Sequence, residues 1–371
     1  MTAHPDAVLI TGVGLALPGA DTPDALLGDA RPAAAPFDTT ARIGRRGHRY
    51  KDRATRLALC AALEALRDAA LVSGEDAELT VPGATVGVVG SSNLGNLDTA
   101  CLTAATIAEE SAGGLSPMSL PNASSNVIAS WVAIRHGLRG PNLMLCNGPA
   151  SGLDAVHWGA TLVAAGRVRR ALVVGVETHN PVVEDLSGAP AGDLLDGAAA
   201  VVVEGARWAG ARGARGAAVL GPYERRPGLG PCVAALLPQG PPPGVWFTPE
   251  RYEAPDADAT GAAAPVSATV PRHDLSLAFG RASGALGVLQ CAAAVGWLAA
   301  DGSGDALLTC GDDTADAVAG LLLRPMTAPR PGQGGASRSA TSATSATSAI
   351  SAFSAFSAFS AFSAISAMES P

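Results

Sequence analysis

Short apolar runs that alternate with longer alanine- and leucine-rich stretches are the feature that most constrains the fold of this chain. Apolar runs of strand length that alternate with helices predict a layered α/β architecture. The strand candidates in the first two hundred residues are VLITGVG at 8–14, TVGVVGS at 85–91, NLMLCNG at 142–148, ALVVGVE at 171–177 and AAAVVVE at 198–204, and the helix candidates are 55–71 and 151–166.

A second, shorter series of the same kind begins at about residue 216. It contains two apolar runs, a long helix predicted over 283–300, and two further runs, ALLTCGDD and AVAGLLL. Its order of strand, long helix, strand, strand repeats the end of the first series. The repetition predicts a duplicated α/β unit, with an N-terminal half at 1–205 and a shortened C-terminal half at 206–325.

Residues 326–371 have a different composition and are predicted to form a low-complexity tail. Ser-Ala-x triplets run from about residue 339 to residue 368. A period of three drifts around a helix of 3.6 residues per turn, so the rings in these triplets form no stable stripe. The composition predicts a disordered tail, with a partner-binding segment as the alternative. The phenylalanines in question are Phe353, Phe356, Phe359 and Phe362.

Composition and charge exclude several classes of protein. With 48% hydrophobic and 16% charged residues, the 371-residue chain is expected to be soluble and to bury a large core. A net charge of −8 argues against a nucleic-acid partner, whose phosphates require a basic face. The N-terminus lacks a basic n-region, and the uncharged stretch 282–300 reads as a buried helix. We therefore expect a cytoplasmic protein with no membrane partner.

Neither the cysteines nor the glycines indicate a cofactor. The six cysteines lie far apart without CxxC spacing, which disfavours both a zinc site and a disulfide framework. GVGLALPG follows the first strand, but the GxGxxG pattern that starts at Gly12 would need a glycine where Leu17 stands. The sequence therefore predicts no cofactor and no metal.

The stretch LMLCNGPASG at 143–152 predicts a strand-to-helix turn, a place where enzymes often keep a nucleophile. Pro149 stands at the predicted start of the helix, where its missing N–H has no intrahelical partner. Cys146 lies inside the predicted strand, away from the helix dipole that lowers a thiol pKa. We therefore expect Cys146 to be a buried structural cysteine, with a displaced nucleophile as the alternative.

An ordered set of segments resembles the β-ketoacyl synthases, which have the thiolase fold. The resemblance covers residues 8–204 well and 275–323 loosely, and implies a thiolase-like fold with two duplicated layered α/β halves (αβαβα). The segments that carry it, in the order of the family, are VLITGVGLALPG, DRATRLALCAALEALRDAAL, VGVVGSSNLGN, SLPNASSNVIASWVAIRHGLRGP, ASGLDAVHWGATLVAAGRVRRALVVGVE and LLDGAAAVVVE.

The resemblance places Pro149 where the family has its catalytic cysteine. In the family a Gly-Pro pair and a Ser-Gly pair lie at fixed distances from that cysteine, and here they are 140–141 and 151–152. Proline supplies neither the thiol nor the backbone N–H that helps to hold the oxyanion. Loss of one such donor typically costs about 10²–10³ in rate. The resemblance therefore implies a chain that has the family's fold but does not catalyse the family's reaction.

Other parts of the family's machinery also have no counterpart. Lys51 is the only lysine and lies far from the family's C-terminal lysine segment. FGRASGALG at 279–287 resembles the family's Gly-His segment, with Arg281 nearest the histidine, and only His273 lies in the second series. LLTCGDD stands where the family has its closing Gly-Phe-Gly-Gly segment.

Within the family, a chain that lacks the nucleophile most resembles the chain length factors of type II polyketide synthases. The resemblance implies a heterodimer with an active ketosynthase alpha subunit and a share in the tunnel for the growing polyketide. Aromatic systems commonly carry glutamine at the position of Pro149, so the proline and the short C-terminal half favour a polyene-making system. An active synthase or acyltransferase that uses Cys146, and a stand-alone binding protein of the thiolase fold, are the alternatives.

The resemblance also assigns surfaces to particular residues. Family dimers pair an edge strand, which implies an interface at Asn142, Leu143, Met144, Leu145 and Cys146. The tunnel-facing residues are expected to be Met118, Leu120, Asn126 and Trp131, with packing in the dimer core as the alternative. An acidic acyl carrier protein is the partner expected at a basic stretch, with a solvated loop as the alternative. The arginines of that stretch are Arg42, Arg45, Arg46 and Arg49.

Overall fold

A computed structural model describes residues 4–28, 35–74, 76–117, 120–238, 240–253, 265–300, 302–312 and 314–326. The chain divides into residues 1–328 and 329–371, and every described residue belongs to the first part. The predicted disordered tail therefore lies outside the described residues, apart from Met326.

The described chain contains one sheet of ten strands and one small hairpin formed by β2 and β3. The order of strands in the large sheet is β10-β9-β11-β12-β8-β1-β7-β6-β4-β5. The strands are β1 (Val8–Ala16), β2 (Val72–Ser73), β3 (Glu78–Leu79), β4 (Val86–Ser91), β5 (Asn142–Leu145), β6 (Arg170–Glu177), β7 (Gly197–Gly205), β8 (Ala218–Arg226), β9 (Val245–Phe247), β10 (Arg272–His273), β11 (Ala306–Cys310) and β12 (Val318–Arg324).

The two halves of the large sheet have the same pairing pattern. In the N-terminal half β1, β7 and β6 pair antiparallel, and β6, β4 and β5 pair parallel. In the C-terminal half β8, β12 and β11 pair antiparallel, and β11, β9 and β10 pair parallel. The halves join where Leu9 and Ile10 of β1 pair antiparallel with Val219 and Ala218 of β8.

Helices cover and separate these two half-sheets. They are α1 (Thr39–Ile43), α2 (Arg53–Asp68), α3 (Leu97–Glu110), α4 (Val127–His136), α5 (Ser151–Ala164), α6 (Pro181–Ser187), α7 (Ala206–Ala211), α8 (Leu229–Leu236), α9 (Ser276–Phe279) and α10 (Leu286–Ala299). Short 3-10 turns lie at Pro23–Leu27, Gly83–Thr85, Ala112–Gly114, Leu120–Ala123, Ala191–Asp193 and Ser283–Ala285.

The described elements form five layers. Leu153 of α5 and Val288 of α10 share a central apolar cluster with Val173 of β6 and Leu308 of β11, so both helices lie between the half-sheets. α2 and α4 pack on the outer face of the N-terminal half-sheet. α8 covers the outer face of the C-terminal half-sheet. The layers follow the predicted αβαβα order.

The glycines of the first strand serve helix packing. A Cβ at Gly12 would lie 2.5 Å from the carbonyl oxygen of Ala65, and a Cβ at Gly14 would lie 2.2 Å from that of Ala61. Only glycine therefore lets α2 approach β1 this closely. α2 begins at its N-cap Asp52, whose carboxylate accepts the Thr55 N–H at 2.6 Å.

The two central helices approach each other through a second pair of glycines. A Cβ at Gly287 of α10 would lie 2.2 Å from the backbone nitrogen of Leu153 in α5. A Cβ at Gly152 would lie 2.6 Å from the nitrogen of Gly287. Within the described ranges, no helix combines the length and apolarity that a bilayer span needs, and no cluster of three potential metal ligands occurs.

Candidate functional site

Hydrogen bonds from Asn93 and Ser151 hold the turn that precedes α5. Gly148 has a φ of +83°, a conformation that favours glycine. The Asn93 side chain accepts the Gly148 N–H at 3.3 Å and donates to the Gly148 carbonyl at 3.0 Å. The Ser151 hydroxyl accepts the Asn147 N–H at 2.8 Å. Pro149 follows Gly148 and precedes the N-cap Ala150, so α5 begins at Ser151, the predicted first residue of the helix candidate 151–166, and Pro149 lies two residues before it.

Pro149 is exposed to a cavity of about 250 Å³, which we call the Pro149 cavity. The segments that follow β9, precede α10 and follow β11 meet Pro149 there. Arg281 and Gly311, from the segments that resemble the family's histidine and gate regions, therefore lie at one site with Pro149. The lining residues are Pro149, Pro249, Glu250, Arg251, Arg281, Leu286, Gly311 and Asp312.

The described residues that line the Pro149 cavity lack the side chains that most often serve as nucleophile or general base in acyl transfer. None of its lining residues carries a thiol, an imidazole or an amine. The neighbouring thiols of Cys291 and Cys310 are fully buried, and burial raises the pKa of each. His273 instead stacks on Phe247, with ring centroids 5.4 Å apart.

Glu250 provides the buried carboxyl group of the cavity, and backbone N–H groups donate hydrogen bonds to it. Its Oε1 accepts the N–H groups of Ser283 at 2.7 Å and of Ala282, while Arg281 lies 3.9 Å from Oε2. Burial raises the pKa of Glu250, and these two N–H donors and Arg281 oppose the rise. The carboxyl group thus fixes the segment that leads into α10.

Glu177, at the end of β6, ties two further segments together. Its buried carboxyl group accepts the N–H groups of Asn93 at 2.7 Å, Leu94 at 3.0 Å and Gly284 at 3.1 Å, and the Ser92 hydroxyl at 3.1 Å. Burial raises the pKa of Glu177 to about 7 against the effect of these four donors. The roles of Glu177 and Glu250 were not predicted from the sequence; the available signal was an acidic residue close behind an apolar run, directly after it in VVGVE and after Thr-Pro in VWFTPE.

The expectation that Cys146 is a buried structural cysteine is wrong. β5 ends at Leu145, and Cys146 follows it as an exposed residue. Desolvation around the sulfur nevertheless raises the pKa of the thiol; a hydrogen bond with Ser125 opposes this rise and the charge of Glu177 adds to it. The thiol is accessible but is not activated.

β5, the strand of the predicted interface, forms one edge of the large sheet. N–H groups of β4 and of the residue after it bond to the carbonyls of Pro141 and Leu145. Because alternate residues of a strand face the same neighbour, Asn142 and Met144 direct their N–H groups away from β4. Cys146 lies one residue beyond the strand.

α3, which the sequence analysis missed, is an uncovered helix with apolar residues. None of its residues is buried in this chain. Leu102 is 68% exposed and Ile107 is 47% exposed, although both are aliphatic. α3 packs against the 3-10 turn at Leu120–Ala123 and against α6. Exposed apolar surface of this kind marks an interaction surface.

The residues predicted to face the tunnel have different surroundings. Met118 lies outside the described residues, and Leu120 is 46% exposed on the turn beside α3. Asn126 is exposed at the N-cap of α4. Trp131 is half-buried; its indole N–H donates to Asn122 at 3.4 Å, and the Lys51 ammonium lies 3.9 Å from the ring centroid. Their role in a tunnel stays a prediction.

The predicted carrier-protein surface lies on α1 and the turns that follow it. Arg42 forms an ion pair with Asp21. Arg45, Arg46 and Arg49 are exposed, and none of the three forms an ion pair with a described acidic residue. The guanidinium of Arg49 lies 5.4 Å from the ring of Tyr50, its sequence neighbour. A positive surface is present, and the identity of its partner stays a prediction.

Comparisons with known proteins agree with this architecture. Residues 30–187 match the family model described as "Beta-ketoacyl synthase, N-terminal domain". The chain is 28% identical over 141 residues to 3-oxoacyl-[acyl-carrier-protein] synthase 2 of Vibrio harveyi and 26% identical to that of Vibrio cholerae serotype O1. Each match covers 38% of this chain, which spans about a third of the length of these curated relatives.

Solved structures with the same fold cover most of the chain. The ishigamide ketosynthase/chain length factor has a TM-score of 0.65 at 24% identity and covers 86% of this chain and 100% of its own. The AntDE:AntF complex of a type II PKS acyl-carrier protein with its ketosynthase bound to the hexaketide has a TM-score of 0.70 at 16% identity, with shares of 87% and 100%. A β-ketoacyl synthase from Burkholderia phymatum has a TM-score of 0.67 at 17% identity, with shares of 86% and 100%.

These likenesses confirm the predicted thiolase-like α/β fold. The family match begins before α1 and ends at Ser187, the last residue of α6, so it includes the turn at Pro149. Residues 30–187 of this chain therefore match the N-terminal domain of the β-ketoacyl synthases, and the described chain has the thiolase-like fold of the ketosynthases.

Proposed function

We propose that this chain is a non-catalytic chain length factor, which pairs with an active ketosynthase and shapes the tunnel for a growing polyketide. One observation carries the proposal: the cavity at the head of α5 is lined by Pro149, Glu250 and Arg281, and none of the described residues that line it has a thiol, imidazole or amine. The fold around it is intact. A subunit that has the fold but lacks the catalytic side chains would act by binding the ketosynthase and lining the tunnel rather than by catalysis.

The ishigamide neighbour supports this proposal because it is described as a ketosynthase/chain length factor. The AntDE:AntF neighbour is described as a complex of an acyl-carrier protein with its ketosynthase. An acyl carrier protein is accordingly the second partner that we propose, and the exposed Arg45, Arg46 and Arg49 offer the positive charge that would attract an acidic protein.

The partner surface that we propose combines β5 and α3. The outward N–H groups of Asn142 and Met144 leave one side of β5 able to pair with a second strand. The exposed Leu102 and Ile107 of α3 provide apolar area that a partner would cover. The proposed heterodimer places a strand of the ketosynthase beside β5.

Co-expression with a cysteine-bearing ketosynthase from a neighbouring reading frame tests the pairing. We expect a stable 1:1 complex on size exclusion and aggregation of this chain when expressed alone. Met144→Pro removes one outward N–H at an edge position and should abolish the complex, whereas Met144→Ala removes the same side chain, keeps the N–H and should retain it. A self-sufficient homodimer that condenses acyl groups would contradict the proposal, as would a complex that tolerates Met144→Pro.

The tunnel assignment has its own test in the complex. If Trp131 closes the tunnel, Trp131→Ala should lengthen the polyketide, while Trp131→Phe, which keeps an aromatic ring, should leave the length closer to wild type. Mass spectrometry of the released products measures the number of extension units. Unchanged product length with an intact complex would assign Trp131 to packing, as its contacts with Asn122 and Lys51 also permit.

A further inference from the structure

A second cavity, of about 240 Å³, lies where α1, α2 and α4 end, away from Pro149. We call it the His136 cavity. Its polar side is formed by three arginines and two histidines, and its apolar side by residues of α1, α2 and the β2–β3 turn. The lining residues are Arg42, Ile43, His48, Leu59, Leu63, Arg67, Ala77, Arg135 and His136.

His136 is the most unusual side chain of this cavity. It is only 6% exposed, yet neither ring nitrogen has a hydrogen-bond partner among the described residues. The Nδ1 atom of His48 is likewise buried without a partner there. Buried polar atoms of folded proteins are nearly always hydrogen-bonded, so these three nitrogens indicate a ligand or ordered solvent in the cavity.

The charges around His136 are predominantly positive. Burial and, to a smaller extent, the charges of Arg135 and Arg67 lower the pKa of His136 to about 4. Arg67 lies 3.1 Å from Glu64, and Arg42 pairs with Asp21, so these two are partly neutralised. Arg135 forms no ion pair with a described residue.

The pKa of the second histidine, His48, is lowered as well. Burial lowers the pKa of His48, and the charges of Lys51, Arg135 and Arg56 lower it further, while a backbone hydrogen bond with Ile43 opposes them. The charges that most perturb the pKa values of His48 and His136 therefore belong to cations. An anion in the cavity would reverse this effect at both rings.

Helix dipoles act against an anion at this place. α2 and α4 both end here, and the carbonyl end of a helix favours a cation. The last carbonyls of α4, however, are already bonded to the N–H groups of Gly137 and Leu138. Arg67 and Arg135 supply full charges against partial ones, in agreement with the lowered pKa values of the two histidines.

We propose that the His136 cavity binds a phosphate group, with Arg135 and His136 as its principal donors. A phosphate offers several acceptor oxygens, and arginine binds it through charge-assisted hydrogen bonds. The cavity volume of about 240 Å³ far exceeds the roughly 15 Å³ that one water molecule needs. The apolar wall of Leu59, Leu63 and Ile43 would contact the carbon part of a phosphorylated small molecule. The site does not depend on the proposed function.

Calorimetric titration of the full-length chain, in its complex where one forms, tests this proposal. The probes are inorganic phosphate and phenyl phosphate, and tighter binding of phenyl phosphate would identify a phosphorylated organic molecule rather than free phosphate. Arg135→Gln removes a charge-assisted hydrogen bond and should weaken binding about tenfold. Arg139→Gln, an exposed arginine that does not line the cavity, should change affinity less than about twofold by the same reasoning.

Histidine ring signals of the wild-type chain provide a second readout of phosphate binding. In nitrogen-detected spectra, phosphate should move the ring signals of His136 and His48 and raise the pKa of His136, because an anion stabilises the imidazolium. His136→Gln assigns the signal. Absence of heat and of ring shifts at millimolar phosphate, or equal weakening by Arg135→Gln and Arg139→Gln, would mean that the cavity holds only water and would overturn the proposal.

Discussion

The crossing of the two central helices at Gly287 gives a prediction whose size follows from the structure. A Cβ added at Gly287 would lie 2.2 Å from the nitrogen of Leu153, whereas ordinary contact begins at 3.4 Å. The helices would therefore have to separate by 3.4 − 2.2 = 1.2 Å at this point. The atoms involved belong to the main chain of α5 and cannot rotate away.

Overpacking of a protein core usually costs about 1–3 kcal/mol. Because this clash is with main-chain atoms between two buried helices, we expect Gly287→Ala to reduce the free energy of unfolding by about 3 kcal/mol, the upper end of that range. The matched control is Gly210→Ala in α7, where no atom lies within 4 Å of the added Cβ. An unhindered glycine-to-alanine change in a helix should stabilise by about 0.5–1 kcal/mol.

Urea unfolding of both variants in the full-length chain, followed by circular dichroism, measures this difference. We expect the free energies of unfolding of the two variants to differ by about 3.5–4 kcal/mol, the sum of the two effects. If Gly287→Ala were as stable as wild type while Gly210→Ala was stabilised as expected, α5 and α10 could not approach each other as closely as the structure has them.

Two further predictions concern the reaction centre and pH. Pro149→Cys should restore a thiol but no condensing activity in an acyl-transfer assay, since no lining residue of the cavity has an imidazole; turnover by this variant would show that another base serves the site. His136, whose pKa falls from 6.5 to about 4 on folding, binds its proton more readily in the unfolded chain, so its stabilising contribution is present above pH 6.5 and is lost as the pH falls towards 4. In phosphate-free urea unfolding, wild type relative to His136→Gln should lose about 2 kcal/mol between pH 7.5 and pH 5, at about 1.36 kcal/mol per pKa unit; a constant difference would refute the pKa assignment.

The interior strands could be predicted from the sequence because their apolar runs are continuous. β1, β6 and β7 are buried at every position, and the observed strands exceed the predicted ones by one residue at the start of β6 and by one residue at each end of β7. The predicted starts of helices differ more from the observed ones. The long helix predicted from residue 283 begins at Leu286, because a 3-10 turn of small residues precedes it. These strands could be predicted because a strand that is buried on both faces consists mainly of apolar residues.

The edge of the sheet and the polar contacts of the site could not be predicted in the same way. β5 has one neighbour and ends three residues before the predicted end at Gly148, and this shortening leaves Cys146 exposed. Glu177 meets its partners across 83 to 107 residues of sequence, so no local pattern reports the contact. Pro149 could be assigned to the position of the family's cysteine because the Gly-Pro and Ser-Gly pairs on either side of it lie close to it in the sequence.

The groups around Pro149 explain why loss of the nucleophile leaves the architecture intact. Asn93 bonds to Gly148 rather than to any group on residue 149, and Glu177 and Glu250 bond to the backbone of 282–284. Proline there removes no hydrogen bond of α5, because the first helical N–H, that of Ser151, bonds to the Gly148 carbonyl. The same contacts oppose reactivation, because Glu177 and Glu250 would each lose hydrogen bonds to the backbone if they turned to serve as the base for a cysteine at 149.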